Sequence, residues 1–137
     1  MDLVVDANVL FAALIKDGLT AELLVDTRLK LHAPHYLIEE FKRYEQAILD
    51  KTHRDPGEFK AVLDVIMDRI EFVASKEFHH LVADAREICP DPADYEYVAL
   101  AMHIDAPLWS NDSALLAMPG ATVVSTTELV RILPKNI

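Results

Sequence analysis

The chain has 137 residues, a length typical of one domain, and we expect a single domain over residues 1–137. Hydrophobic residues make up 52% of the chain and charged residues 26%, which excludes a disordered chain, and no apolar run is long enough to cross a membrane. The formal net charge of −10 leaves two interpretations open: either the protein does not bind nucleic acid, or metal cations or a basic partner neutralise part of its charge.

Cys89 is the only cysteine, so no disulfide can form within the chain, and this suits a reducing compartment. The apolar N-terminal segment could be mistaken for a signal peptide. However, Asp2 and Asp6 precede any basic residue and a basic n-region is lacking. We therefore expect this segment to be part of the fold and the protein to be cytoplasmic.

Strands and helices are predicted to alternate, because short β-rich runs are separated by segments with helical spacing of apolar residues. In chain order we predict a strand at 3–7, a helix at 8–16, a helix at 20–26 capped by Thr20, a strand at 29–33 ended by Pro34, helices at 35–51 and 55–69, a strand at 70–74, helices at 76–88 and 94–104, a strand and its exit at 106–112, a strand at 121–125 and a helix at 126–133. This order predicts an α/β fold with a central parallel sheet of about five strands flanked by helices on both faces. In such sheets, functional sites lie beyond the carboxyl ends of the strands.

Two acids directly follow predicted strands. Asp6 comes after the apolar run at residues 3–5, and Asp112 comes after residues 108–111. Either aspartate could simply cap the following helix. If both strands are parallel and central, however, the two carboxylates emerge at the same edge of the sheet.

The helix predicted at 35–51 places one of its two adjacent glutamates near the core. Apolar residues at i, i+4, i+7 and i+11 mark its buried stripe: Leu37, Phe41, Tyr44 and Ile48. Glu40 borders this stripe, whereas Glu39 lies on the solvated face. An inward carboxylate needs a partner, which is usually a basic residue. Few Lys or Arg residues occupy comparably buried positions, so a metal ion is an attractive alternative.

A further acid opens the apolar helix predicted at 94–104. Asp94 could be an ordinary cap of this helix, and Asp91 and Glu96 are additional candidate acids beside it. The helix is apolar on nearly all sides, so we expect it to be buried with its N-terminus near the edge of the sheet.

Asp6, Glu40, Asp94 and Asp112 could not gather as bare anions, because mutual repulsion would raise their pKa values or drive the loops apart. Mg²⁺ or Mn²⁺ would relieve this repulsion, since both prefer carboxylate and water ligands. The HExxH, CxxC, Walker A, GxGxxG and GxSxG motifs do not occur in the chain, so zinc, nucleotide-loop and serine-hydrolase sites have no support.

With these features the sequence resembles the PIN-domain family. The matching segments are VVDANVL at 4–10, APHYLIEEFKRY at 33–44, PADYEYVALAMHIDAPLWSND at 92–112 and VVSTTELVRIL at 123–133. They cover nearly the whole chain in the order found in the family, and the order and spacing are more specific than any one segment.

The resemblance implies a PIN-like three-layer sandwich in which Asp6, Glu40, Asp94 and Asp112 are catalytic and bind the metal ion. Asn8 and Ser110 match small polar positions of the family and would hold metal-bound water. The family implies an endoribonuclease that uses Mg²⁺ or Mn²⁺ and is often a homodimer. Many small prokaryotic members are VapC-type toxins of type II toxin–antitoxin pairs, held inactive by an antitoxin protein.

Surplus apolar residues on the helix predicted at 55–69 also agree with a homodimer. They are Phe59, Val62, Leu63, Val65 and Ile66. The alternative is that all five residues belong to the core of the monomer.

Three other interpretations compete with the nuclease. A haloacid-dehalogenase-type phosphatase needs a second aspartate two residues after the first, where Asn8 stands, and its lysine and Ser/Thr motifs are not evident. A receiver domain fails similarly, because the paired acids after strand one and the late lysine are missing. A PIN-like binding or scaffold protein without activity agrees with the acidic charge but does not explain why all four acids are present.

Overall fold

The computed structural model describes residues 1–16 and 18–133. The predicted domain over residues 1–137 also includes residue 17 and residues 134–137, which lie outside the described part. The strands are β1 (Asp2–Val5), β2 (Lys30–Pro34), β3 (Ile70–Val73), β4 (Leu108–Trp109) and β5 (Val123–Val124). The helices are α1 (Ala7–Ile15), α2 (Leu19–Leu24), α3 (Tyr36–Lys51), α4 (Pro56–Arg69), α5 (Val82–Ile88), α6 (Tyr95–Ile104), α7 (Ser113–Leu116) and α8 (Thr126–Ile132).

The five strands form one parallel sheet in the order β3-β2-β1-β4-β5, which confirms the predicted α/β class. β1 lies at the centre, and Val4 is in register with His32 of β2 and with Leu108 of β4. Along the chain, β2 and β3 are added on one side of β1, and β4 and β5 are then added on its other side. The carboxyl ends of β1 and β4 therefore lie side by side, where a site is expected in such sheets.

Helices cover both faces of the sheet. α1 packs against α2, α3 and α4, whereas α6 packs against β1, β2, β4 and α5. The helices that follow β1 and β2 therefore pack together on one side of the sheet. α5 and α6, which lead back to β4, pack together on the other side, as right-handed crossovers predict for this strand order.

The core is apolar and closely filled. Residues 3–5 of β1 are fully buried, as are residues 97–100 of α6, so the prediction that α6 is buried is confirmed for its central residues. Trp109, Tyr97 and Phe78 are the largest fully buried side chains. Each such burial removes enough apolar surface from water to contribute about 2–3 kcal/mol, and together these contacts fix α6 against the sheet. Among the described residues, no helix is both long and apolar enough to span a bilayer.

The prediction of one helix over residues 76–88 is wrong for its first half. The structure has two 3₁₀ turns, Ser75–Glu77 and His79–Leu81, before α5 begins at Val82. Phe78 lies between the two turns and is fully buried, so the backbone bends around an anchored aromatic side chain instead of following one helical face.

Other features also differ from the prediction. α7 was not predicted, and it is only four residues long. The N-cap of α2 is Gly18 rather than Thr20, and Gly18 has a φ of 153° that glycine adopts easily.

Pro34 is the last residue of β2, one position beyond the predicted end at residue 33, because it still pairs with Val73 of β3. Backbone donors of β2 alternate in direction: Lys30 donates to Met1, whereas His35 donates to Val73. The missing N–H of Pro34 therefore faces the β1 side, beyond the last paired residue of β1, and costs no hydrogen bond of the sheet.

Candidate active site

A buried serine links the two acids that follow β1 and β4. The Ser110 hydroxyl donates to Oδ2 of Asp6 at 2.8 Å and accepts from the backbone N–H of Asp112 at 3.0 Å. Ser110 is fully buried and Asp6 is only 3% exposed. Burial raises the pKa of Asp6, the Ser110 hydrogen bond opposes that rise, and the charge of Asp112 adds to it.

Asp112 combines a helix cap with a charge in the site. Its Oδ1 accepts from the backbone N–H groups of Ala114 at 2.8 Å and Leu115 at 3.4 Å, so it is the N-cap of α7. The same carboxylate raises the pKa values of Asp6 and Asp94. Asp112 is therefore a helix cap, as the simpler interpretation predicts. It also lies close enough to Asp6 and Asp94 for its charge to act on both.

Glu40 is partly buried whereas Glu39 is exposed, as the helical spacing predicts. The hydroxyl of Tyr97 donates to Oε1 of Glu40 at 2.6 Å. Burial raises the pKa of Glu40, the hydrogen bond from Tyr97 lowers it, and the nearby charge of Asp6 raises it again. α3 thus brings Glu40 to the carboxyl edge of the sheet, where α6 fixes it in place.

Asp94 is an acid of the site with a strongly raised pKa. It ends the 3₁₀ turn Pro92–Asp94 and precedes α6, but its side chain makes no cap hydrogen bond, so the plain cap interpretation is wrong for this residue. Burial raises the pKa of Asp94 from 3.8 to about 7, and Asp6, Asp91, Asp112 and Glu40 all add to the rise. Asp94 therefore lies where the negative charge of the other acids converges.

The additional candidate residues Asp91, Glu96 and Asn8 lie in different surroundings. Asp91 is exposed and accepts from the N–H of Ala93 at 3.0 Å, and its charge raises the pKa values of both Asp94 and Glu40. Glu96 faces a different neighbourhood: burial, and then the charge of Glu39, raises its pKa. Asn8 is exposed on α1 and lines a groove together with Glu40.

The donor chemistry of the cluster suits a hard divalent cation. Its side chains are carboxylates, the ligands preferred by Mg²⁺ and Mn²⁺. Across residues 1–16 and 18–133, however, no group of three or more His, Cys, Asp or Glu side chains is arranged to hold a metal ion. Mg²⁺ commonly binds through one or two carboxylates and keeps several waters, so acids that converge without forming a closed cage fit that ion.

Tyr97 is the site residue that the sequence interpretation missed. It was not singled out as a candidate, although a buried tyrosine hydroxyl usually requires a hydrogen-bond partner. A tyrosine three residues after Asp94, at the start of the apolar run of α6, was the available signal.

The fold and the acid cluster define an α/β protein whose carboxylates gather at the carboxyl edge of a parallel sheet. The chain belongs to the PIN-domain family, because the family model described as "PIN domain" matches residues 4–133. PIN domains generally use divalent metal ions, in agreement with the carboxylate cluster. This membership excludes the haloacid-dehalogenase and receiver alternatives.

The known proteins to which the chain is similar include a VapBC2 complex and a signal recognition particle receptor. The crystal structure of VapBC2 from Rickettsia felis bound to a DNA fragment from their promoter has a TM-score of 0.66, with 16% identity over 91% of this chain and 98% of the other, which shows the shared fold. The signal recognition particle receptor FtsY from Thermus aquaticus is 37% identical over 60 residues, or 44% of this chain. The match spans only 20% of the receptor, so it carries no argument about function.

Proposed function

We propose that this chain acts as a single-domain, metal-dependent endoribonuclease that hydrolyses RNA phosphodiester bonds. The observation that carries the proposal is the convergence of acids on Asp94, whose pKa is raised to about 7 by burial and four neighbouring carboxylates. The acids at the carboxyl edge of the sheet repel one another, and a bound divalent cation would relieve this repulsion.

Four acids of this chain would hold Mg²⁺ or Mn²⁺: Asp6, Glu40, Asp94 and Asp112. Such an ion, when bound, lowers the pKa of a water molecule and stabilises the leaving oxygen of a phosphodiester. Ser110 orients Asp6 through its 2.8 Å hydrogen bond, and Tyr97 orients Glu40. Asp94, whose pKa is raised to about 7, would be held in its deprotonated form by a bound cation. Asn8 and Ser110 would hold metal-bound water, as the family resemblance implies.

We further propose that the protein is the cytoplasmic toxin of a type II toxin–antitoxin pair. The shared fold with a VapBC2 structure supports this role, and a small antitoxin protein is the partner that it requires. A basic partner segment would be attracted to a chain whose net charge is −10. An inactive PIN-like scaffold is the second candidate, and the same negative charge is the observation that favours it.

We also propose a homodimer. Phe59 and Ile66 are buried within the monomer, whereas Val65 is 52% exposed, so only part of the predicted apolar surplus is used in the core. Val25, Val62 and Val65 line an apolar groove between α2 and α4 that a second copy would cover. Light scattering at micromolar concentration should give twice the mass of the chain, and a monomer would remove the dimer from the proposal.

Cleavage of single-stranded RNA tests the proposed activity. Purified protein should cleave RNA with Mg²⁺ or Mn²⁺, and EDTA should abolish the reaction. Asp6→Asn should lower the rate by about 100-fold or more, because it removes a carboxylate from the cation site. Asp84→Asn, which removes an exposed acid of α5, should leave the rate unchanged. Equal cleavage by the wild type and Asp6→Asn would overturn the proposal, and complete inactivity of the folded wild type would favour the scaffold.

A further inference from the structure

A groove of about 440 Å³ runs between α1 and α3 and begins beside the acid cluster. Asn8 and Phe11 line it from α1, and Glu40, Tyr44 and Lys51 line it from α3. Because Glu40 belongs both to the acid cluster and to the groove, any chain that crosses the cluster can continue into the groove without leaving the surface.

Tyr44 gives the groove an accessible aromatic ring. The spacing of α3 predicted that this residue is buried, and that prediction is wrong: Tyr44 is 45% exposed. Its ring meets the ring of Phe11 edge-on, with centroids 5.9 Å apart and an interplanar angle of 60°. Phe11 thus supports the position of Tyr44 while much of the tyrosine remains open to solvent.

Positive charge accompanies this aromatic ring. Lys51 lies eleven residues after Glu40, about 16 Å along the axis of α3, and lines the far part of the groove. Arg43 lies beside Tyr44, and its charge lowers the pKa of Glu40. In a chain with ten more acids than bases, Lys51 thus places a cation in the groove that leads away from the acid cluster.

We propose that this groove is a substrate subsite for single-stranded RNA, in which a base adjacent to the cleaved phosphate stacks on Tyr44 and a backbone phosphate binds Lys51. The inference rests on the proposed nuclease function and names where its substrate is held. Single-stranded nucleic acid is bound by aromatic rings combined with basic residues along the backbone, and this groove offers both. A wholly apolar peptide segment would make no polar contact with Asn8 or Lys51.

Steady-state cleavage of a short single-stranded RNA with saturating Mn²⁺ tests the stacking contact. Tyr44→Ala should raise KM by about 5- to 100-fold with little change in kcat, because each stacked base contributes binding of that size. Tyr44→Trp should restore KM, since any aromatic face can stack. Leu49→Ala is the matched control, because Leu49 is 37% exposed on the same helix but does not line the groove.

The salt dependence of KM tests the phosphate contact. Lys51→Ala should raise KM and reduce the slope of log KM against log salt concentration by about 0.7, as expected for one lost phosphate contact with a single strand. Lys42→Ala, on the exposed side of α3, should leave KM for this short RNA unchanged. If the wild type cleaves RNA but Tyr44→Ala keeps the wild-type KM, the subsite is wrong and the nuclease function stands. If the wild type does not cleave RNA, both proposals fail together.

Discussion

Tyr97 is fully buried on α6, and its hydroxyl donates a 2.6 Å hydrogen bond to Glu40. This bond lowers the pKa of a carboxyl group that burial raises, so it keeps Glu40 available as an anion. Tyr97→Phe should therefore raise the pKa of Glu40 and weaken its interaction with a cation. Groups that orient metal ligands commonly affect affinity or activity by about 10- to 100-fold, and we expect a loss of that size at subsaturating Mn²⁺.

Measuring cleavage over a range of pH and Mn²⁺ concentrations separates this positioning role from a purely structural one. The loss in Tyr97→Phe should shrink at high pH and at saturating Mn²⁺. The melting temperature should change little, because the ring is retained. Tyr95→Phe, on the same helix but stacked against Arg86, is the control. A loss that is independent of both pH and Mn²⁺ would show that Tyr97 does not act through Glu40.

Asp94 gives the metal-free protein a specific dependence of stability on pH. Its pKa is about 7 in the folded protein and 3.8 as the ordinary value, so folding favours the protonated form. The resulting stability is fully present below about pH 4 and is lost as the pH rises towards 7. In EDTA, the free energy of unfolding contributed by this residue should fall across that window.

Urea unfolding of the wild type and Asp94→Asn between pH 5 and pH 8, a window spanning the folded pKa of about 7, measures this effect. The wild type should lose more stability than Asp94→Asn as the pH rises, because asparagine does not ionise. If the stability of both proteins changes equally with pH, the pKa of Asp94 is not raised by its neighbours.

At the scale of secondary-structure elements, α7 connects the end of β4 to the site. Asp112 uses Oδ1 to cap α7, and asparagine caps helices equally well. Asp112→Asn should therefore keep the cap while removing one repelling charge. We expect the metal-free protein to be slightly more stable, by a few tenths of a kcal/mol up to about 1 kcal/mol, and its stabilisation by Mn²⁺ to be smaller.

Differential scanning calorimetry with and without Mn²⁺ tests this expectation. Asp55→Asn is a matched control, since Asp55 caps α4 by accepting from the N–H of Glu58 at 2.8 Å, away from the acid cluster. Its response to Mn²⁺ should equal that of the wild type. If Asp112→Asn also keeps the full response, Asp112 acts only as a cap.

The sequence was informative about elements where one local pattern determined the structure. The alternation of strands and helices predicted a parallel sheet, and the acids at two strand ends predicted that Asp6 and Asp112 lie close together. Both predictions use only the residues of a strand and the residue that follows it. The helical phase that separates Glu40 from Glu39 was predictable for the same reason.

Other features depend on contacts between distant segments, and the sequence did not reveal them. Phe78 interrupts a helical pattern because the core accepts its ring. Tyr44 fits the apolar stripe of α3 but faces a groove, since α1 covers only part of that stripe. The partner of Tyr97 lies 57 residues away, so no local spacing could identify it.

At the scale of the whole molecule, the excess of acids is partly explained by the site. The described structure concentrates Asp6, Glu40, Asp91, Asp94 and Asp112 around one edge of the sheet, whereas Lys51 lines the groove on α3. A net charge of −10 therefore does not describe the surface that a substrate would meet once a cation is bound.

The central claim is that these acids form one divalent-cation site, and calorimetric titration with Mn²⁺ at pH 7.5 tests it most directly. The wild type should bind Mn²⁺ and release protons, because Asp94 is partly protonated when its pKa is about 7. Asp6→Asn and Asp94→Asn should each weaken binding by about tenfold or more, whereas Asp84→Asn should bind as the wild type does. Equal affinities in all four proteins, or no binding by the folded wild type at millimolar Mn²⁺, would contradict the claim.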